Sequence, residues 1–344
     1  MQRKSLRLLL AFGILILGGN LQAGPDHPLS PYPTGDEFYA EIRAFADAHP
    51  EIVALETVGK SVESRDLLAL HFRRPDGKAR PAALITGNIH AGECISALVA
   101  MGAARALADE DGKTDWITRL LDESDIYIIP LHNPDGYYRV LDTNGKGGEI
   151  GSRRNANGVD LNRNFPLAPG AKSLHPLSGN KRPGSSYYMG PHPLSEPETQ
   201  AIEELVNRQT FYAAVILHSV AGKFLYPYCH TKDPSPDAPA FVQMGQAFND
   251  HQPHYKYKVQ RSYSWYPTLG DSDDFLYIYH GVLSVTVEVG TIKKNLFDRG
   301  LKTMKMFWIA NPGKVDYWVE NDSQAVLAAI AEALKITGGE PVKH

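Results

Sequence analysis

The sequence predicts a single α/β domain, and three observations support this prediction. Four short apolar runs are typical of strands buried on both faces of a sheet, at residues 83–89, 125–131, 213–217 and 283–287. Helical stretches alternate with these runs, and no Gly/Ser-rich linker or change in composition divides the chain. With 344 residues, of which 43% are hydrophobic, the chain has enough apolar side chains for one large core.

Helices are predicted between and after these strands. One runs from about Cys94 to Ala108, and a second begins at Ser195, where a Glu three positions later completes a capping-box pattern, and continues to about Arg208. A C-terminal amphipathic helix is predicted over 325–335. By contrast, residues 142–186 are rich in Gly, Asn, Arg and Pro, and a loop of that length in a compact domain is usually functional or disordered. Its many Arg and Asn residues favour a functional loop.

The first residues have the pattern of a secretion signal. Basic residues at positions 3, 4 and 7 precede an uncharged apolar run from Leu8 to Gly19, and Ala23 follows at the expected cleavage point. The run is shorter than the roughly 20 apolar residues that a membrane-spanning helix needs, although an uncleaved anchor is the alternative. We therefore predict a signal peptide at 1–23, a catalytic domain at 24–344, export to the periplasm or the extracellular space, and no membrane span after signal removal.

The composition argues against several functional classes. Lys and Arg number 35 against 39 for Asp and Glu, a net charge of −4, so no basic excess indicates a nucleic-acid partner. The two cysteines, Cys94 and Cys229, are too few for a disulfide framework or a cysteine-rich zinc module. Export would permit them to pair, but the sequence does not decide this, and we expect two buried or partly buried thiols.

Metal-competent side chains follow three of the predicted strands. His90 and Glu93 come after the first strand, His218 after the third and Glu288 after the fourth. Open α/β sheets bind ligands in the crevice outside the carboxyl ends of their strands, so these side chains are expected to meet there. A single histidine of this kind is usually structural, but that explanation does not account well for all three strand ends.

The residue types fit a zinc hydrolase. Such an enzyme needs about three protein ligands, and two histidines with one glutamate are a known set that leaves a position for water. His90-Ala91-Gly92-Glu93 supplies an imidazole and a carboxylate, and His218 can supply the third ligand. The sequence does not contain the His-Glu-x-x-His pattern with which other zinc proteases bind the metal. Glu288 ends a strand of branched apolar residues, where a buried carboxylate needs compensation. It is either part of a structural ion pair or a general base that takes a proton from the attacking water and passes it to the leaving amine.

Four motifs in this order resemble the zinc carboxypeptidases of the carboxypeptidase A/B type. They are His90-Ala91-Gly92-Glu93, the segment Gly158-Val159-Asp160-Leu161-Asn162-Arg163-Asn164-Phe165, His218-Ser219 leading to Tyr226-Pro227-Tyr228, and Glu288. The resemblance extends from about Pro31 to Asn311. It implies a doubly wound, mixed but mostly parallel eight-stranded sheet flanked by helices. It also implies one zinc ion bound by His90, Glu93 and His218, and peptide or protein C-termini as substrates.

The resemblance also implies roles for residues outside the ligand set. Asn162 and Arg163 match the pair that grips the terminal carboxylate of the substrate, and an amide donor with a guanidinium fork suits that task chemically. Arg153, with Arg154 as the alternative, would stabilise the negative charge that develops on the scissile carbonyl oxygen. Tyr266 matches a mobile tyrosine that caps the bound substrate, with a packing role as the alternative.

The segment Ser272-Asp273-Asp274-Phe275 resembles the carboxypeptidase B form of the specificity pocket. In that form the first aspartate lies at the pocket floor, which implies that Asp273 selects a C-terminal Lys or Arg. Asp274 would be a structural carboxylate or would support a zinc-bound histidine. Family members often carry Arg or Asn where Gly92 stands and Tyr where Val220 stands, so the outer substrate-binding sites are expected to differ here.

The resulting hypothesis is an exported, monomeric zinc metallocarboxypeptidase that hydrolyses the C-terminal bond of peptides. One alternative keeps the zinc chemistry but acts on cell-wall (murein) peptides next to diaminopimelate, whose side-chain amine would also suit Asp273. An acyl-amino-acid deacylase shares the His-x-x-Glu and Asn-Arg elements, but the stretch from His218 to Tyr228 and Tyr266 argue against it. A binding protein that has lost catalysis would lack a ligand or the base, yet the sequence contains all of them.

Overall fold

The computed structural model describes residues 27–294 and 306–343, so the predicted signal peptide lies outside the described residues. The strands are β1 (Val53–Lys60), β2 (Asp66–Phe72), β3 (Ala82–Thr86), β4 (Asp125–Ile129), β5 (Phe211–Ser219), β6 (Lys223–Tyr226), β7 (Lys258–Arg261) and β8 (Leu283–Val289). The helices are α1 (Gly35–Ala48), α2 (Cys94–Glu110), α3 (Asp115–Glu123), α4 (Pro134–Asp142), α5 (Gly148–Arg153), α6 (Pro197–Arg208), α7 (Ala238–Asp250), α8 (Ser272–His280), α9 (Met306–Ala310) and α10 (Val315–Thr337). A 3₁₀ turn covers Leu161–Arg163.

The strands form one eight-stranded mixed sheet in the order β1-β2-β4-β3-β5-β8-β6-β7. Its centre is parallel, because β4, β3, β5 and β8 run in the same direction. Antiparallel pairs join β1 to β2, β2 to β4 and β6 to β8, and the edge strand β7 runs parallel to β6. The predicted fold class is therefore confirmed, and the carboxyl ends of β3, β5 and β8 lie side by side.

Apolar side chains pack against both faces of the sheet. One hydrophobic cluster joins the sheet to α2, α7 and α10 through residues such as Ala97, Phe241 and Ile330. A smaller cluster joins the opposite face to α6 and α8 through residues such as Leu205 and Phe275. All residues of the central strands β3, β4, β5 and β8 are buried, which explains why they are continuous apolar runs in the sequence.

Several predicted boundaries differ from the structure. The capping box at Ser195 is wrong: α6 begins two residues later, because Ser195 Oγ donates to Glu196 Oε1 instead of capping the helix. The C-terminal helix is longer than predicted and spans Val315–Thr337. The long polar segment 142–186 contains α5 and the 3₁₀ turn rather than loop alone. Cys94 and Cys229 are both buried and unpaired, as expected.

In the described ranges, no helix combines the length and the apolar character needed to cross a membrane.

A buried carboxylate joins α10 to the catalytic side of the sheet. Oδ1 of Asp322 accepts hydrogen bonds from Gln252 Nε2 at 2.7 Å and from Asn321 Nδ2 at 2.8 Å. Its Oδ2 accepts from the hydroxyl of Tyr257 at 2.6 Å, and that hydroxyl accepts from the amide of Gly290, just after β8, at 2.9 Å. Burial raises the pKa of Asp322 from 3.8 to about 6, although the three hydrogen bonds oppose the shift.

We therefore expect a pH-dependent contribution of Asp322 to stability. The folded state holds the carboxyl proton more tightly than the unfolded state, so this contribution to the free energy of unfolding falls as pH rises from about 4 to about 6. At 1.36 kcal/mol per pKa unit the loss is about 3 kcal/mol. Between about pH 4 and pH 7, the free energy of unfolding of Asp322→Asn, measured in urea, should therefore rise relative to that of wild type by up to about 3 kcal/mol.

The exposed Asp316 at the start of the same helix provides the control. Asp316→Asn should show no such trend with pH. A difference between wild type and Asp322→Asn that is constant over this range would contradict a raised pKa for Asp322.

Candidate metal centre and active site

Two strand ends bring the predicted metal ligands together. His90 and Glu93 lie in the turn between β3 and α2, and His218 is the penultimate residue of β5. Nδ1 of His90 lies 2.9 Å from Glu93 Oε1, and Nδ1 of His218 lies 3.0 Å from Glu93 Oε2. The two Nδ1 atoms are 3.1 Å apart, and the two imidazoles are almost completely buried.

These three side chains have the chemistry of a zinc site. Their ligand atoms all lie within 4.8 Å of one another, and two imidazoles with one carboxylate are a known zinc-binding set. Burial would raise the pKa of Glu93, but the neighbouring imidazoles lower it below its usual range, so the carboxylate is ionised. Burial lowers the pKa of His218, although Glu93 opposes the shift, which favours the neutral ring that binds metals. The residues present therefore fit a divalent zinc ion.

Asp160, which the sequence analysis did not assign, orients one of the ligands. It lies just before the 3₁₀ turn, is completely buried, and its Oδ1 lies 3.2 Å from His90 Nε2. Donation of that Nε2–H leaves the lone pair on Nδ1, which faces Glu93 and His218. The other oxygen of Asp160 accepts from Arg153 Nε at 2.7 Å. Burial would raise the pKa of Asp160, but Arg153 and Arg163 lower it well below its usual range.

The side chains of Arg153 and Arg154 lie in different surroundings, and only that of Arg153 lines the cavity. Arg153 ends α5, lines the cavity beside the ligand cluster, and its guanidinium lies 4.8 Å from the ring centroid of Tyr187. Its buried Nη2 has no hydrogen-bond partner among the described residues. Arg154 is not among the residues that line this cavity, and its Nη1 donates to the carbonyl of Ser185 at 3.3 Å. Of the two arginines, Arg153 has a free donor at the site.

The 3₁₀ turn positions the next two candidates. Asn162 Oδ1 accepts from the amide of Ser272 at 2.9 Å and from its hydroxyl at 3.0 Å, while Nδ2 lies 3.3 Å from His218 Nε2. Arg163 is 1% exposed, and its guanidinium donates to the carbonyl oxygens of Asn162 and Leu177. Both side chains line the same cavity as the ligands.

Glu288 lies near the end of β8, directly opposite His218 in the parallel β5–β8 register. It is 7% exposed, and Oε2 accepts no hydrogen bond from the described part of the chain. Burial, followed by the nearby charge of Glu93, raises the pKa of Glu288 well above its usual range, while Arg153 and Lys223 oppose the shift. Glu288 is thus a buried carboxyl group with free proton-accepting capacity at the cavity wall.

Tyr266 and Asp273 also line this cavity, which has a volume of about 210 Å³. The ring of Tyr266 stacks on His175 with the centroids 5.9 Å apart. Burial raises the pKa of its phenol, and Arg163 opposes the shift. Asp273 is 2% exposed and accepts from the hydroxyls of Ser284 at 3.0 Å and Thr286 at 2.7 Å. All the predicted site residues therefore lie around one cavity.

A second aspartate at this end of the cavity was missed by the sequence analysis. Asp271 caps α8 by accepting the amide of Asp274, and it lines the cavity together with Asp273 and Cys229. Burial and the charge of Asp271 raise the pKa of Asp273 well above its usual range. Asp274 does not support a histidine of the ligand cluster, because its oxygens accept the amides of Cys229 and His230. The supporting carboxylate is Asp160.

The zinc carboxypeptidase family model matches residues 38–311 of the chain. This chain belongs to the zinc carboxypeptidase family. Carboxypeptidase A4 of Mus musculus is 31% identical over 224 residues, which are 64% of this chain and 51% of the relative. Carboxypeptidase D of Rattus norvegicus is 25% identical over 319 residues, 85% of this chain and 21% of that protein. The chain thus spans about half the length of the first of these relatives and a smaller share of the second.

Solved structures show the same fold. The crystal structure of thrombin activatable fibrinolysis inhibitor superposes with a TM-score of 0.72 at 24% identity, covering 89% of this chain and 74% of the other. Carboxypeptidase A from Helicoverpa armigera superposes with a TM-score of 0.70 at 21% identity, covering 88% and 73%. At these identities the likeness shows the carboxypeptidase fold, which agrees with the family assignment.

Gly92 permits close packing between the turn that carries His90 and Glu93 and the helix α5. A Cβ at Gly92 would lie 2.6 Å from the Cβ of Ser152, closer than atoms can approach. The amide of Gly92 donates to the Ser152 carbonyl at 2.5 Å, and the amide of Ala91 donates to the Arg153 carbonyl at 3.4 Å. No side chain fits between the ligand turn and α5, so the absence of a side chain at position 92 allows α5 to bring Arg153 to the cavity.

Gly92→Ala should therefore displace α5 and Arg153 without removing a metal ligand. We expect a fall of roughly 10- to 100-fold in kcat on a peptide substrate, because small misplacements of a catalytic group are costly. The zinc content, measured by atomic absorption, should stay at the wild-type level.

The matched control is Gly151→Ala, where the nearest atom to the added Cβ is the Lys146 carbonyl oxygen at an ordinary 3.6 Å. Similar kcat values for the two variants would contradict a packing role for Gly92.

Proposed function

We propose that this protein is an exported zinc metallocarboxypeptidase that removes the last residue of peptides and prefers a basic one. The observation that carries the proposal is the convergence of His90, Glu93 and His218 in one cavity with Glu288, whose Oε2 has no hydrogen-bond partner among the described residues. The curated relatives are carboxypeptidases, and the family model supports the same chemistry. Export is supported by the secretion-signal pattern of the first residues.

Recognition of a free carboxylate fits the surroundings of Asn162 and Arg163. A guanidinium fork and an amide on one wall of the cavity suit a planar carboxylate, which accepts hydrogen bonds from both. The cavity volume of about 210 Å³ suits a single residue, whose peptide bond to the preceding residue would then lie near Glu288. Tyr266, at the same cavity, would close over the bound residue.

Bond cleavage requires a proton carrier and a stabiliser of negative charge. Zinc held by His90, Glu93 and His218 would polarise the scissile carbonyl and lower the pKa of a water molecule. Glu288 accepts the proton of the attacking water and delivers it to the leaving amine, a task that suits a carboxyl whose pKa is raised by burial. The free Nη2 of Arg153 donates to the carbonyl oxygen as negative charge develops on it.

The acidic floor of the cavity supports the preference for basic residues. Asp271 and Asp273 are both buried there, and no basic side chain in the described ranges forms an ion pair with either. A substrate ammonium or guanidinium group would supply the missing positive charge. The side-chain amine of diaminopimelate would do the same, so murein peptides are the second candidate. Comparing hydrolysis of hippuryl-Arg and of a purified murein tripeptide distinguishes the two.

Glu288→Gln should retain zinc, but its kcat should fall by about 100-fold or more, because the amide cannot carry the proton. Turnover of hippuryl-Arg and the zinc content of the purified variant are the measurements. Glu123→Gln, at an exposed position on α3, controls for the loss of one negative charge and should behave as wild type. Wild-type turnover by Glu288→Gln would exclude the base role.

Asp273→Asn should lose selectivity for basic residues. We expect kcat/KM to fall by about 10² for Arg-ended peptides and by less than about tenfold for Phe-ended peptides, because only the former need the charge. Since burial raises the pKa of Asp273, uptake of a cation releases its proton, and the wild-type preference for Arg over Phe should grow with rising pH. Equal losses on both peptides would contradict the pocket assignment.

A further inference from the structure

Lys223 lies beside the reactive end of the cavity, within the stretch from His218 to Tyr228, where the sequence analysis gave it no role. It begins β6 and is directly opposite Glu288 in the antiparallel β6–β8 register, where Leu225 is opposite Thr286. Directly opposed residues of an antiparallel pair share one face of the sheet, as do residues two apart in a strand. Leu225 and Thr286 line the cavity, so Lys223 lies on the cavity side and at the level of Glu288.

The ammonium group of Lys223 forms a cation–π contact and no ion pair in the described part of the chain. No carboxylate within residues 27–294 or 306–343 forms an ion pair with it, although its side chain is half-buried. Nζ lies 5.6 Å from the ring centroid of Trp265, a cation–π distance. Trp265 lines the cavity and is 39% exposed, so the pair Lys223–Trp265 borders both the cavity and the solvent.

A second cation increases the positive potential at this position. Lys258 of β7 is the register partner of Lys223 and likewise forms no ion pair with a described carboxylate. Burial and Lys258 lower the pKa of Lys223, while the charge of Glu288 opposes the shift. Lys223 beside the cavity and the adjacent Lys258 form no ion pair with a described carboxylate, and two such cations favour the approach of an anion.

The depth of the cavity separates this positive region from the acidic floor. Asp273 is held by Thr286 and Ser284, which precede Glu288 by two and four residues in β8. A strand rises about 3.3 Å per residue, so the floor lies roughly 7–13 Å below the level of Lys223 and Glu288. In the proposed function, the side chain of the last substrate residue would extend toward this floor, so the residue before the scissile bond would lie at the level of Lys223.

We propose that Lys223, supported by Trp265, determines specificity by binding a carboxylate on the residue immediately before the scissile bond. This inference rests on the proposed carboxypeptidase function and adds a second element to its substrate: a basic last residue preceded by an acidic one. A carboxylate of this kind comes either from the side chain of an α-linked glutamate or from the free α-carboxyl of a γ-linked glutamate.

The test compares kcat/KM on peptides that differ only in this carboxylate. One pair is acetyl-Ala-Glu-Arg and acetyl-Ala-Gln-Arg, and the other is γ-glutamyl-Arg with a free α-carboxyl and the same compound with an α-carboxamide. We expect wild type to favour the carboxylate member of at least one pair by about 5- to 10-fold at low salt, and the pair with the larger ratio identifies the source. The ratio should decrease at about 0.5 M salt, which screens a partly exposed ion pair.

Three variants distinguish the role of Lys223 from a general effect on the fold. Lys223→Gln should reduce the ratio to about one, whereas Lys223→Arg should retain most of it because the charge is kept. Lys113→Gln removes an exposed lysine between α2 and α3 that does not line the cavity, and it should retain the full ratio.

Two outcomes would overturn the inference alone: hydrolysis of all four peptides without preference, or a preference that persists in Lys223→Gln. Absence of hydrolysis of every peptide by zinc-loaded wild type would instead overturn the proposed function, and the inference with it.

Discussion

Asp160 lies completely buried between His90 and Arg153, 3.2 Å from Nε2 of the first and 2.7 Å from Nε of the second. Its Oδ1 also accepts the amide of Asn162 at 3.1 Å, and the Asn162 side chain reaches His218. One carboxylate therefore sets the ring of His90, the guanidinium of Arg153 and the start of the turn that carries Arg163. A charge buried this deeply is tolerated because each of its oxygens has partners, including a permanent cation.

Around this carboxylate the cavity is divided by charge. Cationic groups of Arg153 and Arg163 form one wall, the uncompensated Glu288 lies opposite His218, and the aspartates at the floor have no basic partner among the described residues. Among the described residues, Glu288, Asp271 and Asp273 therefore form no ion pair with a basic side chain. Unpaired buried charge is unfavourable for stability and useful for binding, because a substrate with matching charges supplies the missing partners.

The central strands and the ligand set could be predicted because their signals are local. β3, β4, β5 and β8 are continuous apolar runs, and a ligand residue at a strand end is visible as a polar residue after such a run. The outer strands β1, β6 and β7 were not predicted, since they are short or only partly buried and have no distinct periodicity. β2 was not predicted either, although all of its residues after Asp66 are buried. The start of α6 was misplaced because Ser195 has a competing acceptor in the neighbouring Glu196.

By itself, the sequence predicted the α/β class, the three metal-ligand candidates and the candidate general base, because strand burial and donor chemistry are properties of short segments. Only the tertiary structure placed Arg153, and not Arg154, among the residues that line the cavity, put Asp160 rather than Asp274 beside His90, and brought Asp271 to the cavity floor. It also placed Lys223 opposite Glu288. The physical reason is that side-chain direction and charge pairing depend on register and packing between segments far apart in the chain, which spacing within one segment does not encode.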